Sequence, residues 1–128
     1  MTLQDFNENY IYQSDKDKFH RTEVWDIGKP DSDGKYRMDC ESYMLTILDL
    51  GLIPKDTELH YCKIQGGGHC IGILDGMVID CNCKTFIPLE DYTKTYSMTN
   101  LRKYWKIEVW YYKTITKLFG FVPMFKDI

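Results

Sequence analysis

The chain has 128 residues, which suits a single domain spanning 1–128 with one modest core. A hydrophobic fraction of 44% excludes a largely disordered chain. Lys+Arg 16 against Asp+Glu 19 leave a formal net charge of -3 with no basic stripe to neutralise phosphates, so no nucleic-acid partner is expected.

No stretch approaches the roughly 20 apolar residues of a membrane-spanning helix, so no membrane partner is expected either. The opening MTLQDFNENY is acidic and polar, unlike a secretory leader. Cys40, Cys62, Cys70, Cys81 and Cys83 make an odd number of thiols, which fits reduced cysteines in a cytoplasmic setting better than a disulfide framework. Aromatic residues reach 15%, enough to fill much of a small core or to line a substrate groove.

Residues 1–37 are polar and punctuated, with Tyr10, Tyr12, Phe19 and Trp25 as candidate anchors and GKPDSDG at 28–34 as a turn-rich loop. The stretch 39–50, DCESYMLTILDL, has the apolar spacing of a buried helix, closed by Gly51 and Pro54. Asp39 is its natural N-cap. Short apolar strands follow at 57–64, 69–75 and 77–81, the last two joined through Asp75-Gly76, a strong hairpin signal. From 104 to 112, Trp105, Ile107, Val109 and Tyr111 alternate with Lys106, Glu108 and Trp110, which predicts a long strand with one buried face. Arg102, Lys103, Lys113 and Lys117 then read as its solvated side, and the tail LFGFVPMFKDI packs a few aromatic residues.

Three of these positions carry chemistry. Cys40 opens the helix, where the positive end of the helix dipole favours thiolate over thiol. His69 follows Gly66-Gly67-Gly68 at the start of a strand, a place from which an imidazole can serve as a general base for a thiol. With the turn at residues 75 and 76, Leu74 pairs with Met77, and His69 faces residue 82 with Asp80 a diagonal neighbour on the same face. Asp80 can therefore orient the imidazole, and Asn82 is a rival for that role. The backbone N–H of Cys40 is a natural oxyanion donor, with the Trp25 indole or the Gln13 amide as the second.

The ordered motifs DCESY, GHCIGIL after a Gly-rich turn, and VIDC resemble the bacterial transglutaminase-like cysteine proteinases over residues 10–92. Trp25 in EVWDIGKP is similar to that family's W-and-P segment. The resemblance implies an α+β, papain-like/transglutaminase-like fold, with a helix carrying the nucleophile packed on an antiparallel sheet carrying the base. It maps the triad onto Cys40, His69 and Asp80. Met38 stands where a Gly is common and Cys81 where an Asn is usual, which bears on substrate approach and on the orienting hydrogen bonds. The short chain suits a minimal, phage-encoded form acting in the host cytoplasm.

The expected activity is thus a cysteine peptidase or amidase acting on a protein or peptide through a thioester, without a cofactor. Amine attack on the same thioester would make a transglutaminase, and attack by water on a glutamine-derived one a deamidase. Two other classes compete. Cys81-x-Cys83 with His69, Cys70 or Cys62 offers soft ligands for zinc, although paired C-x₂-C knuckles are absent and no metal is expected. A non-catalytic binding module on the same fold is the second.

Overall fold

A computed structural model describes residues 1–14, 24–65, 67–119 and 122–123; for Val24, Trp25, Lys106, Phe119, Val122 and Pro123 it describes the backbone alone. The chain begins with α1 (Leu3–Glu8), whose start is closed reciprocally. Thr2 Oγ1 accepts from Asp5 N–H at 3.1 Å while Asp5 Oδ2 accepts from Thr2 N–H at 2.9 Å. Phe6 then inserts among Tyr10, Tyr36 and Tyr43. Strand β1 (Tyr10–Tyr12) pairs in parallel with β3 (Tyr36–Met38), and β2 (Val24–Trp25) pairs antiparallel with β9 (Val122–Pro123).

Helix α2 (Cys40–Asp49) forms where the apolar spacing predicts it, with Asp39 Oδ1 accepting from Ser42 N–H at 3.2 Å. Gly51 at φ 70 ends the helix in a conformation that favours glycine. Beyond it lies a five-stranded antiparallel sheet, order β7-β6-β5-β4-β8. Its strands are β4 (Glu58–Ile64), β5 (Gly67–Leu74), β6 (Met77–Ile79), β7 (Ile87–Pro88) and β8 (Thr99–Lys103). Helix α3 (Leu89–Tyr96) connects β7 to β8, and α4 (Lys106–Phe119) follows β8. The architecture is α+β.

The hairpin turn is as the sequence predicts. Asp75 (φ 50) and Gly76 (φ 75) both take left-handed conformations, and Leu74 pairs with Met77. The ladder stops at Gly72 opposite Ile79, two residues short of the predicted strand end. The cause is Asp80, whose Oδ1 takes the N–H groups of Asn82 (2.9 Å) and Cys83 (2.7 Å) and turns the chain. At the other end β5 starts early, because Gly67 and Gly68 pair with Ile64 and Lys63 instead of forming a turn.

The sheet is covered on both sides. Met44, Leu45 and Ile47 of α2 pack with Leu59, Cys70 and Ile79 on one face, and Tyr92 of α3 packs with Cys62, Ile71 and Val78 on the other. Gly72 is what lets α2 close on β5: a Cβ there would lie 2.6 Å from Met44 Cε and 2.9 Å from Thr57 Cγ2.

The predicted strand at 104–112 is a helix instead. Trp105 and Ile107 are 71% and 72% exposed, whereas Val109, Tyr112 and Ile115 pack on the core, a spacing of three. Glu108 Oε1 accepts from Trp105 N–H at 3.0 Å and closes the helix start, and Lys117 Nζ meets Asp49 at 2.9 Å. The basic residues beyond 112 therefore sit on a helix. Of the expected N-terminal anchors, Tyr10 is buried, Tyr12 is exposed, and Phe19 and the Trp25 side chain lie outside the described residues, as do Gly66 and most of the tail. No helix among the described residues is long and apolar enough to cross a membrane.

Candidate active site

The structure brings His69 and Asp80 together. His69 lies opposite Cys62 in the β4–β5 register, and Asp80 follows β6, so both fall on the face that carries Ile71, Val78 and Tyr92. His69 Nε2 meets Asp80 Oδ2 at 2.7 Å, with Asp80 fully buried. Tyr92 Oη donates to the same oxygen at 2.6 Å. With the two backbone N–H groups on Oδ1, every usual acceptor position of this carboxylate is filled. Burial pushes its pKa up, but the hydrogen bonds from His69, Tyr92 and Cys83 outweigh burial and hold it at about 2. Asp80 is therefore an anion, and the group that holds the imidazole. The exposed rival, Asn82, contributes its backbone N–H to Asp80 instead.

Cys40 sits elsewhere. It opens α2, belongs to the core cluster with Cys70 and Cys81, and is nearly buried. Each of those cysteines immediately follows a member of the pair in sequence, so thiol and imidazole lie at the same end of the sheet. They are on opposite sides of its plane, since Cys70 and Gly72 face α2 while His69 and Ile71 face α3. No hydrogen bond joins Cys40 to His69 among the described residues. The thiol instead donates to Glu41 Oε2 at 3.3 Å.

This corrects the expectation of a thiolate at the helix start. Burial pushes the Cys40 thiol well above its ordinary pKa, and the Glu41 and Asp39 carboxylates push it further. Glu41 is itself raised by burial and by Asp39. The helix dipole contributes only a partial charge, and desolvation next to two acidic groups exceeds it.

Around Cys40, Gln13 N–H donates to Met38 O at 3.1 Å, two residues earlier in the chain, so Gln13 sits beside the start of α2. Tyr10 Oη donates to the same carbonyl at 3.0 Å. Asp26 hydrogen-bonds Ser42 Oγ, and Gly28 N–H donates to Thr46 Oγ1 at 2.7 Å, which straps segment 26–28 along α2. Sequence reasoning missed two residues here. Tyr12 is 62% exposed, and partial burial with the neighbouring Cys40 and Asp39 raises its phenol to about 12, which places it near the start of α2. Tyr92 lies twelve positions beyond Asp80, and its only signal is an aromatic ring with a polar tip.

A cavity of about 540 Å³ lies at the far end of α2 among Leu48, Leu59, Tyr104, Val109 and Trp110, and touches none of the three predicted catalytic residues. Among the described residues no group of three or more His, Cys, Asp or Glu side chains is placed to hold a metal ion. Neither the family models nor the curated proteins compared with the chain gave a match.

Proposed function

We propose that the chain is a cysteine-dependent acyl-transfer enzyme on a papain-like, transglutaminase-like fold, acting in the cytoplasm as a peptidase or amidase on a protein or peptide amide. The observation that supports this reading is the buried His69 Nε2–Asp80 Oδ2 bond of 2.7 Å. A carboxylate on Nε2 fixes the tautomer and leaves Nδ1 as the basic atom. For catalysis the Cys40 thiol must leave Glu41 and come round the shared end of the sheet to Nδ1, where it passes on its proton and attacks the amide carbon. The backbone N–H of Cys40 and the Gln13 amide stabilise the oxyanion. The imidazolium returns its proton to the departing amine, and water then cleaves the thioester. An amine in place of water gives transamidation, and a glutamine substrate gives deamidation.

A second reading, a non-catalytic binding module, draws on one observation: the resting thiol is raised in pKa and bonded to Glu41. One experiment separates the two. Alkylation of Cys40 by iodoacetamide, followed by mass spectrometry across pH 5–10, should show reactivity near neutrality that falls about 100-fold in His69→Ala. Reactivity that is absent near neutrality, or indifferent to His69→Ala, leaves the binding module standing. Trapping the acyl-enzyme then identifies the acyl group.

A further inference from the structure

The imidazole–carboxylate pair does not stand alone on its face of the sheet. Helix α3 lies over it, fastened at its start by Leu89 N–H donating to Gly76 O at 2.9 Å, the carbonyl of the hairpin turn. That fastening brings Tyr92 down onto β5 and β6, where its ring is enclosed by Cys62, Ile71 and Val78 and tilted against Tyr96 at 4.6 Å. Packing of this kind leaves a side chain few rotamers, so the phenol oxygen has a defined position. That position is 2.6 Å from Asp80 Oδ2, the same oxygen that holds His69.

We infer that Tyr92 is a positioning residue for the imidazole base, a fixed phenol donor that holds Asp80 Oδ2 aimed at His69 Nε2. The inference rests on the enzyme reading for its purpose, but its physical content concerns Asp80 directly. Two features make the donor permanent. The phenol is fully buried, and burial together with the Asp80 anion pushes its own pKa far above any working pH. A hydrogen bond from such a donor favours the charged form of its acceptor and is among the stronger kind.

The other titratable groups facing Asp80 do not compete. Cys62 from β4, Cys81 and Cys83 from the turn, Tyr43 from α2 and Tyr96 from α3 all interact with it, and burial raises every one of them. The three thiols rise to about 11, 12 and 12, so each is neutral while Asp80 titrates. Removing the Tyr92 hydroxyl therefore reads out on Asp80 itself.

The test is Tyr92→Phe, which keeps the ring and removes the donor. Carbon-13 NMR titration of the Asp80 carboxyl should show its midpoint rise by about one pH unit. The acid limb of His69-dependent Cys40 alkylation should move up in the same direction. A carboxyl midpoint unmoved from wild type overturns the positioning role, even if the variant is less stable. Should Tyr92→Phe fail to fold, 3-fluorotyrosine at position 92 serves instead: a stronger donor must lower the Asp80 midpoint, and no change again overturns the inference. If wild-type Cys40 shows no His69-dependent reactivity, the enzyme reading fails while the carboxyl titration still decides the role of Tyr92.

Discussion

The two faces of the central sheet handle buried polar groups in opposite ways. On the α3 face, Asp80 is fully buried and still ionised, because four donors converge on its two oxygens. On the α2 face, Cys40 is nearly buried and held as a thiol, because its partner Glu41 is an acceptor and Asp39 adds a second acidic group. Burial raises the pKa on both sides. The sign of the outcome is set by whether the neighbours give or take hydrogen bonds. The His69–Asp80 pair is therefore held in a fixed arrangement, and the Cys40 thiol is latched to Glu41.

The largest expected effect lies on the α3 face. Asp80→Ala leaves His69, Tyr92 and two backbone N–H groups without their acceptor, so chemical denaturation should show a loss of about 3 kcal/mol. A loss below about 1 kcal/mol would mean that water replaces the carboxylate readily and the network is not buried as described.

Acid should dismantle the same face more gradually. The Asp80 carboxyl is depressed from 3.8 to about 2, so its contribution is complete above about pH 4 and disappears as pH falls through about 2. That amounts to about 2 kcal/mol, visible as falling urea midpoints between pH 5 and 2. Asp80→Asn should flatten this part of the profile, and an unchanged slope would assign the acid sensitivity to other carboxylates.

A milder perturbation tests how closely α2 must approach the sheet. Gly72→Ala places a methyl group against the flexible end of Met44 and against Thr57, at an expected cost of about 1–2 kcal/mol in thermal or urea unfolding. No cost at all would indicate that the α2–β5 contact is looser than the distances imply.

The smallest effect is the one aimed at the latch. Glu41→Gln removes an acidic acceptor beside the thiol, so the Cys40 pKa should fall and alkylation at pH 8 should rise by about threefold. A slower reaction would show that Glu41 assists the thiol instead of restraining it.

Much of this architecture was legible locally. The helix at 39–50 announces itself through Asp39, its apolar spacing and Gly51, and the hairpin through Asp75-Gly76, because capping and positive φ are properties of one or two residues. The register that this turn imposes brought Asp80 within reach of His69. The stretch 104–112 misled because alternation over nine residues also fits part of an amphipathic helix, and the deciding contacts, Glu108 at the helix start and Asp49 to Lys117, are not visible in the pattern. The preference for Asp80 over Asn82 was likewise out of reach, since Asp80 itself ends the ladder and turns Asn82 outward.

The order of the chemistry-bearing residues, and the local geometry that presents each one, is written in the chain: a capped helix start for Cys40, a strand for His69, and a hairpin-set neighbour in Asp80. These follow from short-range hydrogen bonding and the period of side chains along the chain. Their protonation states come from packing between elements far apart in the chain. Whether Asp80 is charged depends on His69, Tyr92 and the turn N–H groups converging on it, and whether Cys40 is a thiolate depends on burial against the sheet beside Glu41 and Asp39. Protonation in an interior is set by desolvation and by which donors and acceptors packing brings within about 3 Å, and that is a property of the assembled fold.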